Sequence, residues 1–475
     1  MKKVLLIFCL ILVTVKGFSQ RFSQYNTGTL YDSFENPSQR AFVPDTSKSY
    51  AFNFLIPNFD ANFSLTGNAQ STLVSRIFSG QFNNAALNLG SGSLNNSIFN
   101  ANVYALMFKM FTSLNGDSEV GIFAESKLEG RSAFTDETIG LYSGPVAFPN
   151  SVYDNVFNDH LNFQIYNAIG LSYREKLTSQ FAVGFKLALL MGINYEKLDI
   201  NESHVNFNNA TDAAVISLRG TYRYSKGPGQ FDSRSFLPTT RSPGAQISIG
   251  TSYKTEDGIT FQGNVKDLGF IHWYSSSTTS NFNNTTTVNG LSGLPTKKRG
   301  DSLYNTVYRL LSGSPQSGSF TSNTNGRFEL SATKLYYLND DKMFKYMPTL
   351  IVSKELFYNG VTGAMVNHFQ YKNYHVSVTG SYDNENLFNL GLQLMVKSHN
   401  GEFYIGSDRL FQTVSLATAN PATYPNGSFT GADIFIGFSM KFGPVIEHPL
   451  NASVISTGEK GFLGRLWNRL FKTYR

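Results

Sequence analysis

Charge and cysteine are both scarce in this 475-residue chain. Asp, Glu, Lys and Arg make up 15 % of the residues, whereas an average soluble domain carries about a quarter charged residues. The one cysteine, Cys9, lies in an apolar N-terminal run. The rest of the chain therefore has no disulfide, no thiolate metal ligand and no cysteine nucleophile. Aromatic residues are abundant, with 41 Phe and 25 Tyr, and this composition excludes a disordered chain.

Residues 1–20 have the pattern of a secretory signal peptide. Lys2 and Lys3 precede an apolar run over residues 4–15, which is too short to span a bilayer and is not followed by a stop-transfer pattern. No later stretch of 18 or more residues is continuously apolar. We therefore expect an exported protein without a membrane-spanning helix.

The net charge of +6 is confined to the two ends of the chain. Residues 1–20 carry three lysines and no acid, and residues 443–475 carry five basic and two acidic residues. Residues 21–442 are consequently neutral. A neutral body lacks the basic surface that nucleic acid requires, so we expect no nucleic-acid partner.

Apolar and polar residues alternate with a period of two over long segments. The clearest are 161–174, 180–195, 386–397 and 432–442, and they exceed the usual strand of about five or six residues. A tilted strand needs about 9–11 residues to cross a bilayer. The polar faces hold mostly Gly, Ala, Ser, Asn and Gln, which suits a crowded barrel interior better than the exterior of a soluble β-sandwich. We therefore predict an all-β protein, a closed antiparallel transmembrane β-barrel in the bacterial outer membrane, surrounded by lipid.

The alternation defines candidate strands between residues 48 and 442, the predicted barrel domain. They are 48–56, 58–66, 99–112, 118–128, 161–174, 180–195, 214–225, 244–254, 258–270, 326–337, 346–356, 361–370, 373–381, 386–397, 401–410 and 432–442. The first two and 118–128 are weak, so we predict about 14 strands, within a range of 12 to 16. Residues 21–47 form a periplasmic or lumenal segment, residues 67–97 could fold into the lumen, and 196–213 could hide another strand.

The last strand sets the expected topology, because it ends in the aromatic Phe442, as is common in outer-membrane barrels. If that end is periplasmic, the turns at 398–401 and 255–258 are periplasmic as well. The segments 274–325 and 411–431 are then extracellular. The Ser/Thr/Asn-rich composition of residues 275–293 agrees with a long exposed loop.

Three local motifs carry a resemblance to a known family. They are Glu35-Asn36-Pro37-Ser38, Lys266-Asp267-Leu268-Gly269-Phe270-Ile271-His272-Trp273 and Phe403-Tyr404-Ile405-Gly406-Ser407-Asp408-Arg409-Leu410-Phe411. On these motifs the chain resembles an uncharacterised family of Bacteroidetes outer-membrane β-barrels, distantly similar to fatty-acid-transporter-like barrels. The resemblance covers nearly the whole mature chain and implies fold and compartment rather than an activity. From the residues alone, the segment 267–270 is better explained as a strand end with a tight turn.

The sequence shows no catalytic or metal-binding spacing. The seven histidines form no His-x-x-x-His pair and lie beside no carboxylate cluster. Residues 331–334 match the Ser-x-x-Lys pattern of penicillin-binding enzymes, but they lie in an extended segment and no Lys-Thr-Gly follows. The acidic turn at 339–341 could hold calcium weakly, although a solvated turn explains it better. We predict no catalytic residue, no metal site, no cofactor and no enzymatic activity.

The tail at 443–475 departs from the barrel pattern. Residues 443–458 contain two prolines and read as a linker, and residues 459–474 have the three- and four-residue apolar spacing of an amphipathic helix. The candidate partner-binding residues of this helix are Phe462, Leu463, Leu466, Trp467, Leu470 and Phe471, with the basic Arg465 and Arg469 outside the apolar half. Two alternatives stay open, a helix lying on the inner leaflet and a helix docked in the groove of a protein partner.

Two functional hypotheses follow. The first is a non-enzymatic accessory or scaffold subunit of a protein-secretion or barrel-assembly complex, with the tail binding a periplasmic or outer-membrane protein. The alternative is a channel or transporter for hydrophobic small molecules, with residues 67–97 as a hatch.

Overall fold

The computed structural model describes residues 22–39, 48–79, 85–113, 116–208, 210–226, 239–290, 296–358, 360–383, 387–419 and 430–445. Within these ranges no helix has the length and apolar character needed to cross a membrane. The predicted amphipathic helix at 459–474 and the predicted linker from residue 446 onward lie outside the described residues, as does the predicted signal peptide. Residues 443–445, which we expected to begin the linker, instead continue the last strand, which ends at Val445.

The described residues form strands and a few short helices. The strands are β1 (Lys48–Phe52), β2 (Asn58–Thr66), β3 (Leu94–Phe111), β4 (Ser118–Thr135), β5 (Val152–Asp154), β6 (His160–Lys176), β7 (Phe181–Asn208), β8 (Ala213–Tyr224), β9 (Pro243–Lys254), β10 (Ile259–Trp273), β11 (Thr278–Asn289), β12 (Pro315–Ser317), β13 (Phe320–Asn323), β14 (Arg327–Lys334), β15 (Tyr336–Tyr337), β16 (Phe344–Glu355), β17 (Val361–Tyr371), β18 (Tyr374–Asp383), β19 (Phe388–Lys397), β20 (Gly401–Ser407) and β21 (Thr430–Val445). The helices are α1 (Leu30–Glu35), α2 (Gln70–Ser79), α3 (Asp136–Gly140), α4 (Thr296–Leu311) and α5 (Leu410–Ala417), with 3-10 turns at Leu141–Ser143 and Pro145–Ala147.

The strand pairing closes into a ring. β1 and β2 lie end to end and both pair with β3 on one side and β21 on the other. The ring then continues through β4, β6, β7, β9, β10, β14, β16, β17, β18, β19 and β20 back to β21. The result is a closed antiparallel barrel of 14 strands, and the predicted fold class and favoured strand number are confirmed.

Two of the sixteen candidate strands do not add a position to the ring. The candidates 48–56 and 58–66 share one position, because the chain bulges between them and Phe54 and Leu55 adopt positive φ angles of 51° and 60°. The candidate 214–225 is β8, which pairs with β11 and with the distal half of β7 outside the ring. The additional strand considered for residues 196–213 is this distal half of β7, because β7 continues to Asn208.

The outer and inner faces of the wall follow the alternation in the sequence. On β21, Ile434 and Phe442 are exposed on the outside, while Asp433 and Lys441 are buried on the inside. Apolar side chains that are exposed all around the outside of a closed barrel are suited to lipid, since a closed barrel satisfies its backbone hydrogen bonds without water. The barrel is therefore an outer-membrane protein.

The two ends of the barrel differ. Short turns such as 177–180, 255–258, 372–373 and 398–400 join strands at one end, which we call the short-turn end. Most connections at the other end are longer and carry α2 to α5 with the strands β5, β8 and β11 to β13, and we call that side the long-loop end. There β8, β11, α4 and the distal half of β7 enclose a second hydrophobic core that includes Phe148, Phe207, Ile216, Phe282 and Leu303.

Candidate functional site in the barrel lumen

Residues 22–39 lie inside the barrel, and we call this segment the plug. Its only helix within the described residues is α1, which is six residues long. Thr29 is the N-cap, and its hydroxyl oxygen accepts a hydrogen bond from the Asp32 backbone N–H at 3.1 Å. The Asp32 carboxylate in turn accepts one from the Gly28 backbone N–H at 2.9 Å. A helix this short is not stable alone, so its conformation depends on the wall around it.

Charged side chains of the wall bind the backbone of the plug. The Leu30 N–H donates to a Glu402 carboxylate oxygen at 2.5 Å, and the Phe22 N–H donates to Asp408 at 2.8 Å. The Lys397 ammonium donates to the carbonyl oxygens of Thr27 and Gly28 at 3.2 and 3.0 Å. These contacts satisfy backbone groups that a short buried segment would otherwise leave unpaired.

Asp408, which follows the end of β20, sits in an acidic environment. Its backbone N–H donates to Asp433 at 2.6 Å. Burial raises the pKa of Asp408 to about 7, and the neighbouring Asp433 adds to the rise. The Ser23 hydroxyl and backbone N–H both bind the same carboxylate, so this residue holds the first turn of the plug.

Hydroxyl and amide groups from other strands complete the attachment. The hydrogen bonds are Ser23 Oγ to Thr379 Oγ1 at 2.8 Å, Asn26 Nδ2 to Thr333 Oγ1 at 2.8 Å, Asn264 Nδ2 to Tyr25 Oη at 3.0 Å, Ser331 Oγ to Tyr25 Oη at 3.2 Å and Ser252 Oγ to the Ser38 carbonyl oxygen at 2.7 Å. They involve β9, β10, β14 and β18. The plug is thus held by side-chain hydrogen bonds from much of the circumference and by no strand pairing.

Glycines of the wall allow the plug to approach closely. A Cβ atom added to Gly184 would lie 2.1 Å from the Pro37 carbonyl oxygen, and one added to Gly250 would lie 3.0 Å from Ser38 N. On the other side, a Cβ at Gly391 would lie 2.7 Å from Asp408 Oδ1. Side chains at these inward positions would displace the plug or its anchor.

Aromatic side chains fill the contact between α1 and the wall. The Tyr31 ring meets the Tyr104 ring edge-on at 5.6 Å between centroids. The Phe34 and Phe123 rings lie 5.5 Å apart, and Tyr404 packs on the far side of Tyr31. All five rings belong to one buried cluster, so α1 buries its apolar face as a helix does in a protein core.

A chain of charges follows the wall beside α1. Lys186 pairs with Glu125 at 3.2 Å, and Lys127 lies between Glu125 and Asp267 at 3.8 and 2.7 Å. Arg327 pairs with Asp267 at 3.3 Å. We call these five residues the charge chain.

The plug adds Glu35 to the charge chain. Its carboxylate accepts a hydrogen bond from the Tyr104 hydroxyl at 2.7 Å, and that hydroxyl accepts one from the Lys186 ammonium at 2.9 Å. Burial raises the pKa of Glu35, but the positive charges of Lys127 and Lys186 outweigh burial and lower it to about 2. Glu35 is therefore ionised.

A chamber lined by many charged residues, which we call the polar chamber, lies between the plug and the wall; its volume is about 100 Å³ and it opens to solvent. Its lining comes from the plug and from β2, β3, β4, β10, β14 and β16. The charged residues on it are Asp32, Glu35, Asp60, Lys127, Glu129, Lys266, Arg327, Glu329 and Glu355. A charged group of a ligand could be accommodated there, next to the apolar surface of α1.

All three motifs of the family resemblance meet at the plug. Residues 35–38 are its end, and Asp408 is its anchor. The segment 267–270 is not a strand end with a tight turn, as we expected from its residues. It is a bulge inside β10, where Asp267 has a φ of 55° and turns its carboxylate toward Lys127 and Arg327.

The other candidate residues can be placed as follows. Ser331 of the Ser-x-x-Lys match is in the strand β14 and binds Tyr25 of the plug. Among the described residues no group of three or more His, Cys, Asp or Glu could hold a metal ion. The partner-binding residues proposed between 462 and 471 lie outside the described part of the chain. Sequence reasoning did not identify the plug contacts. The lysines at inward positions of β4, β7 and β10 are the signal from which ion pairs inside the lumen could have been inferred.

The fold and the filled lumen define a plugged outer-membrane β-barrel. Residues 41–408 match the model of a family of unknown function, DUF5723, and the chain belongs to that family. The resemblance drawn from the motifs is confirmed to this extent, and an origin in Bacteroidetes remains a prediction. None of the curated proteins matches the sequence.

Several solved structures are similar to this chain. The Ralstonia pickettii toluene transporter TbuX has a TM-score of 0.44 and 9 % identity, covering 90 % of this chain and 99 % of its own. A Pseudomonas aeruginosa FadL homologue has a TM-score of 0.43 and 10 % identity, with 92 % and 99 % covered. The Pseudomonas putida toluene transporter TodX has a TM-score of 0.39 and 8 % identity, with 90 % and 94 % covered.

Proposed function

We propose that this protein is a gated outer-membrane conduit for hydrophobic small molecules and that the plug is its gate. The attachment of the plug supports this proposal. Residues 22–39 close the lumen through side-chain hydrogen bonds and aromatic contacts, whereas the strands of the wall pair with one another. The plug can therefore leave the lumen while the barrel remains closed.

The chemistry of the contact supports a partly hydrophobic substrate. When α1 moves, the surfaces of Tyr104, Phe123 and Tyr404 that face it become free. The polar chamber lies beside this surface and is lined in part by Tyr31 and Glu35 of the plug. An apolar body would bind to the aromatic surface, as ligands generally use apolar pockets with a few polar groups for orientation.

The proposed orientation places the short-turn end in the periplasm and the long-loop end outside the cell. Outer-membrane barrels have short periplasmic turns and long extracellular loops. Strand β1 starts at the short-turn end and β21 ends there, since Lys48 pairs with Val445. The chain beyond Val445 then begins on the periplasmic side.

A disulfide between the plug and the wall tests the proposal. Ser23 Oγ and Thr379 Oγ1 are 2.8 Å apart, so cysteines at both positions are expected to cross-link in a chain that has no other cysteine after Cys9. Oxidised Ser23→Cys/Thr379→Cys protein should reduce cellular uptake of the apolar dye N-phenyl-1-naphthylamine to the level of cells lacking the protein. Reduction should restore uptake.

A cross-link within the wall is the matched control. Ser97 Oγ and Ser132 Oγ are 2.6 Å apart on the paired strands β3 and β4. The Ser97→Cys/Ser132→Cys disulfide leaves the plug free, so uptake should be the same before and after reduction. If the plug cross-link forms and uptake does not change, the plug is not the gate.

The scaffold hypothesis depends on the C-terminal tail and gains no support from the described residues. We keep as a separate proposal that Trp467 and its apolar neighbours bind a periplasmic or outer-membrane protein. A role in secretion or barrel assembly, and the absence of enzymatic activity, both stay predictions.

A further inference from the structure

We propose that the barrel has a binding site for an anionic phospholipid of the periplasmic leaflet, on its lipid-facing side at the short-turn end, formed by β14 to β17. Two lysines of this site bind the phosphate of the headgroup, and neighbouring aromatic rings contact the glycerol and the start of the acyl chains. This inference goes beyond the gate and takes from the proposed function only the orientation of the barrel.

Aromatic rings of three neighbouring strands are stacked on the outside of the barrel near the short-turn end. The Tyr336 and Tyr346 rings are stacked with their centroids 6.2 Å apart, and the Tyr346 and Phe369 rings with theirs 4.9 Å apart. One row nearer the turns, the Phe344 ring meets the Tyr371 ring edge-on at 6.3 Å. Aromatic rings in this position lie at the level of the lipid headgroups.

A lysine ammonium lies over a ring on each side of this stack. Lys334 Nζ is 5.6 Å from the centroid of the Tyr336 ring, and Lys372 Nζ is 5.4 Å from the centroid of the Tyr371 ring. The Lys334 side chain reaches a ring two residues nearer the turn, as a lysine does when it extends from the hydrocarbon region toward the headgroups. We call these residues the basic aromatic patch, which consists of Lys334, Tyr336, Tyr346, Phe369, Tyr371 and Lys372.

The patch lysines have no carboxylate beside them on the lipid-facing side. In the part of the chain that the structure describes, neither Lys334 nor Lys372 forms an ion pair. The acidic residues of β14 to β17 are Glu329 and Glu355, and both are buried on the lumen side. The lipid-facing side of these strands therefore carries positive charge only.

The nearby carboxylates lie in water-exposed turns rather than among the rings. Four are exposed in the turns of the two adjoining hairpins, namely Asp340, Asp341, Glu256 and Asp257. Three lysines of the same hairpins offset most of their charge, namely Lys342, Lys345 and Lys254. The charge that faces the lipid headgroups consequently comes from Lys334 and Lys372.

This arrangement fits a lipid phosphate that has no positive charge of its own. A lysine ammonium binds phosphate as a compact point charge with three donors. In phosphatidylethanolamine the amine of the headgroup competes with the lysines for the phosphate, whereas phosphatidylglycerol has no amine. Lysine clusters at a membrane surface attract anionic lipids in the same way. We therefore expect the patch to prefer phosphatidylglycerol.

A second aromatic stack at the short-turn end lacks such lysines and provides an internal control. The Tyr50 ring is stacked with the Phe442 ring at 5.4 Å and with the Phe108 ring at 6.2 Å. No ammonium of a described lysine lies over these three rings. Tyr336 and Phe442 are 44 % and 42 % exposed, so a tryptophan at either position would contact lipid to a similar extent.

Tryptophan fluorescence in vesicles tests the inference. Tyr336→Trp and Phe442→Trp variants of the full chain are placed in equimolar phosphatidylethanolamine and phosphatidylglycerol, with bromine on the acyl chains of one lipid at a time. The emission of the unmodified chain is subtracted. Brominated phosphatidylglycerol should quench Tyr336→Trp at least twofold more than brominated phosphatidylethanolamine does. Phe442→Trp should be quenched equally by the two lipids.

Substitution of the lysines identifies the source of the preference. Lys334→Gln/Lys372→Gln should reduce the ratio at Tyr336→Trp to that at Phe442→Trp, and Lys334→Arg/Lys372→Arg should keep it. Lys48→Gln/Lys176→Gln removes the same charge from other strands at this end and should leave the ratio unchanged. Heat-modifiable mobility shows that each variant is folded.

Three results would overturn the inference. The first is equal quenching of Tyr336→Trp by the two lipids, and the second is the same preference at Phe442→Trp. The third is a preference that survives Lys334→Gln/Lys372→Gln or that is lost in Lys48→Gln/Lys176→Gln, because general surface charge would then explain it.

The result is independent of the gating experiment, since neither the plug nor uptake enters it. A plug cross-link that blocks uptake, together with equal quenching by the two lipids, refutes the lipid site alone. A clear preference for phosphatidylglycerol with uptake unaffected by the cross-link refutes the gate alone. Labelling of Asp340→Cys on intact cells would place the patch in the outer leaflet and overturn its assignment to a phospholipid of the periplasmic leaflet.

Discussion

Gly184 shows how single residues of the wall fit the plug. Its Cβ position is 2.1 Å from the Pro37 carbonyl oxygen, a backbone atom that cannot move without the rest of the plug. We expect Gly184→Ala to weaken docking of the plug by about 1–3 kcal/mol, the usual cost of overpacking. That corresponds to an increase of about 5-fold to 150-fold in transient opening. The thiol labelling rate of a Thr27→Cys reporter in the buried plug measures it.

Gly363 in β17 provides the control for that prediction. A Cβ atom there would meet nothing within 4 Å, so Gly363→Ala should leave the labelling rate of Thr27→Cys unchanged. If both alanine variants labelled at the wild-type rate, the fit between wall and plug would not contribute to closure.

The charged residues at the plug could be predicted only in part. Lys186 is an inward residue in a clear period-two pattern, so its place in the lumen follows from the sequence. Asp267 does not follow, because the bulge in β10 breaks the alternation at that residue. The lumenal position of residues 22–39 depends on contacts with residues more than 200 positions away, such as Asp408 and Asn264, which local patterns do not contain.

At the scale of elements, strand length and face were the most predictable features. Long alternating runs gave strands at the expected places, since one face meets lipid and the other the lumen. The strand predictions were wrong where a feature other than the lipid-facing and lumen-facing alternation determines the structure. The side chain of Asn53 accepts from the Met107 N–H and donates to the Ile56 carbonyl oxygen, which stabilises the bulge between β1 and β2. β8 alternates like a wall strand because it also has one buried face, in the second core.

The 28 residues of β7 contain the boundary of the lipid-facing surface. Its outward residues are apolar in the first half, with Leu187 46 % and Leu189 71 % exposed. In the distal half the exposed positions are polar, among them Glu202 and Asn206. The membrane therefore surrounds only the first half of the strand.

Arginine substitutions on β7 test this boundary. Leu187→Arg should lower the free energy of unfolding by about 2–4 kcal/mol if it lies at the bilayer midplane. Asn206→Arg, on the exposed distal half of the same strand, should change it by no more than about 0.5 kcal/mol. Urea unfolding in lipid vesicles, followed by heat-modifiable mobility, measures both. Equal effects of the two substitutions would contradict the assigned lipid face.

For the whole molecule, structure is distributed unequally between the two ends of the barrel. The long-loop end carries a second hydrophobic core and the connections with helices. The short-turn end has mainly tight turns, and β1 begins and β21 ends there. The plug lies between them and binds strands from much of the circumference. A gate in this position would separate the two sides of the membrane, and the orientation of the barrel determines which side each end of the lumen faces.

Cysteine labelling on whole cells tests that orientation. Asn289 is exposed at the end of β11 on the long-loop end, and Asp340 is exposed in a turn at the short-turn end. Because the mature chain has no cysteine if Cys9 is removed with the signal peptide, each single cysteine reports on one site. Asn289→Cys should react with a membrane-impermeant maleimide on intact cells, and Asp340→Cys only after the outer membrane is ruptured. The reverse pattern would place the second core in the periplasm and the chain after Val445 outside the cell, where the tail could not reach a periplasmic partner.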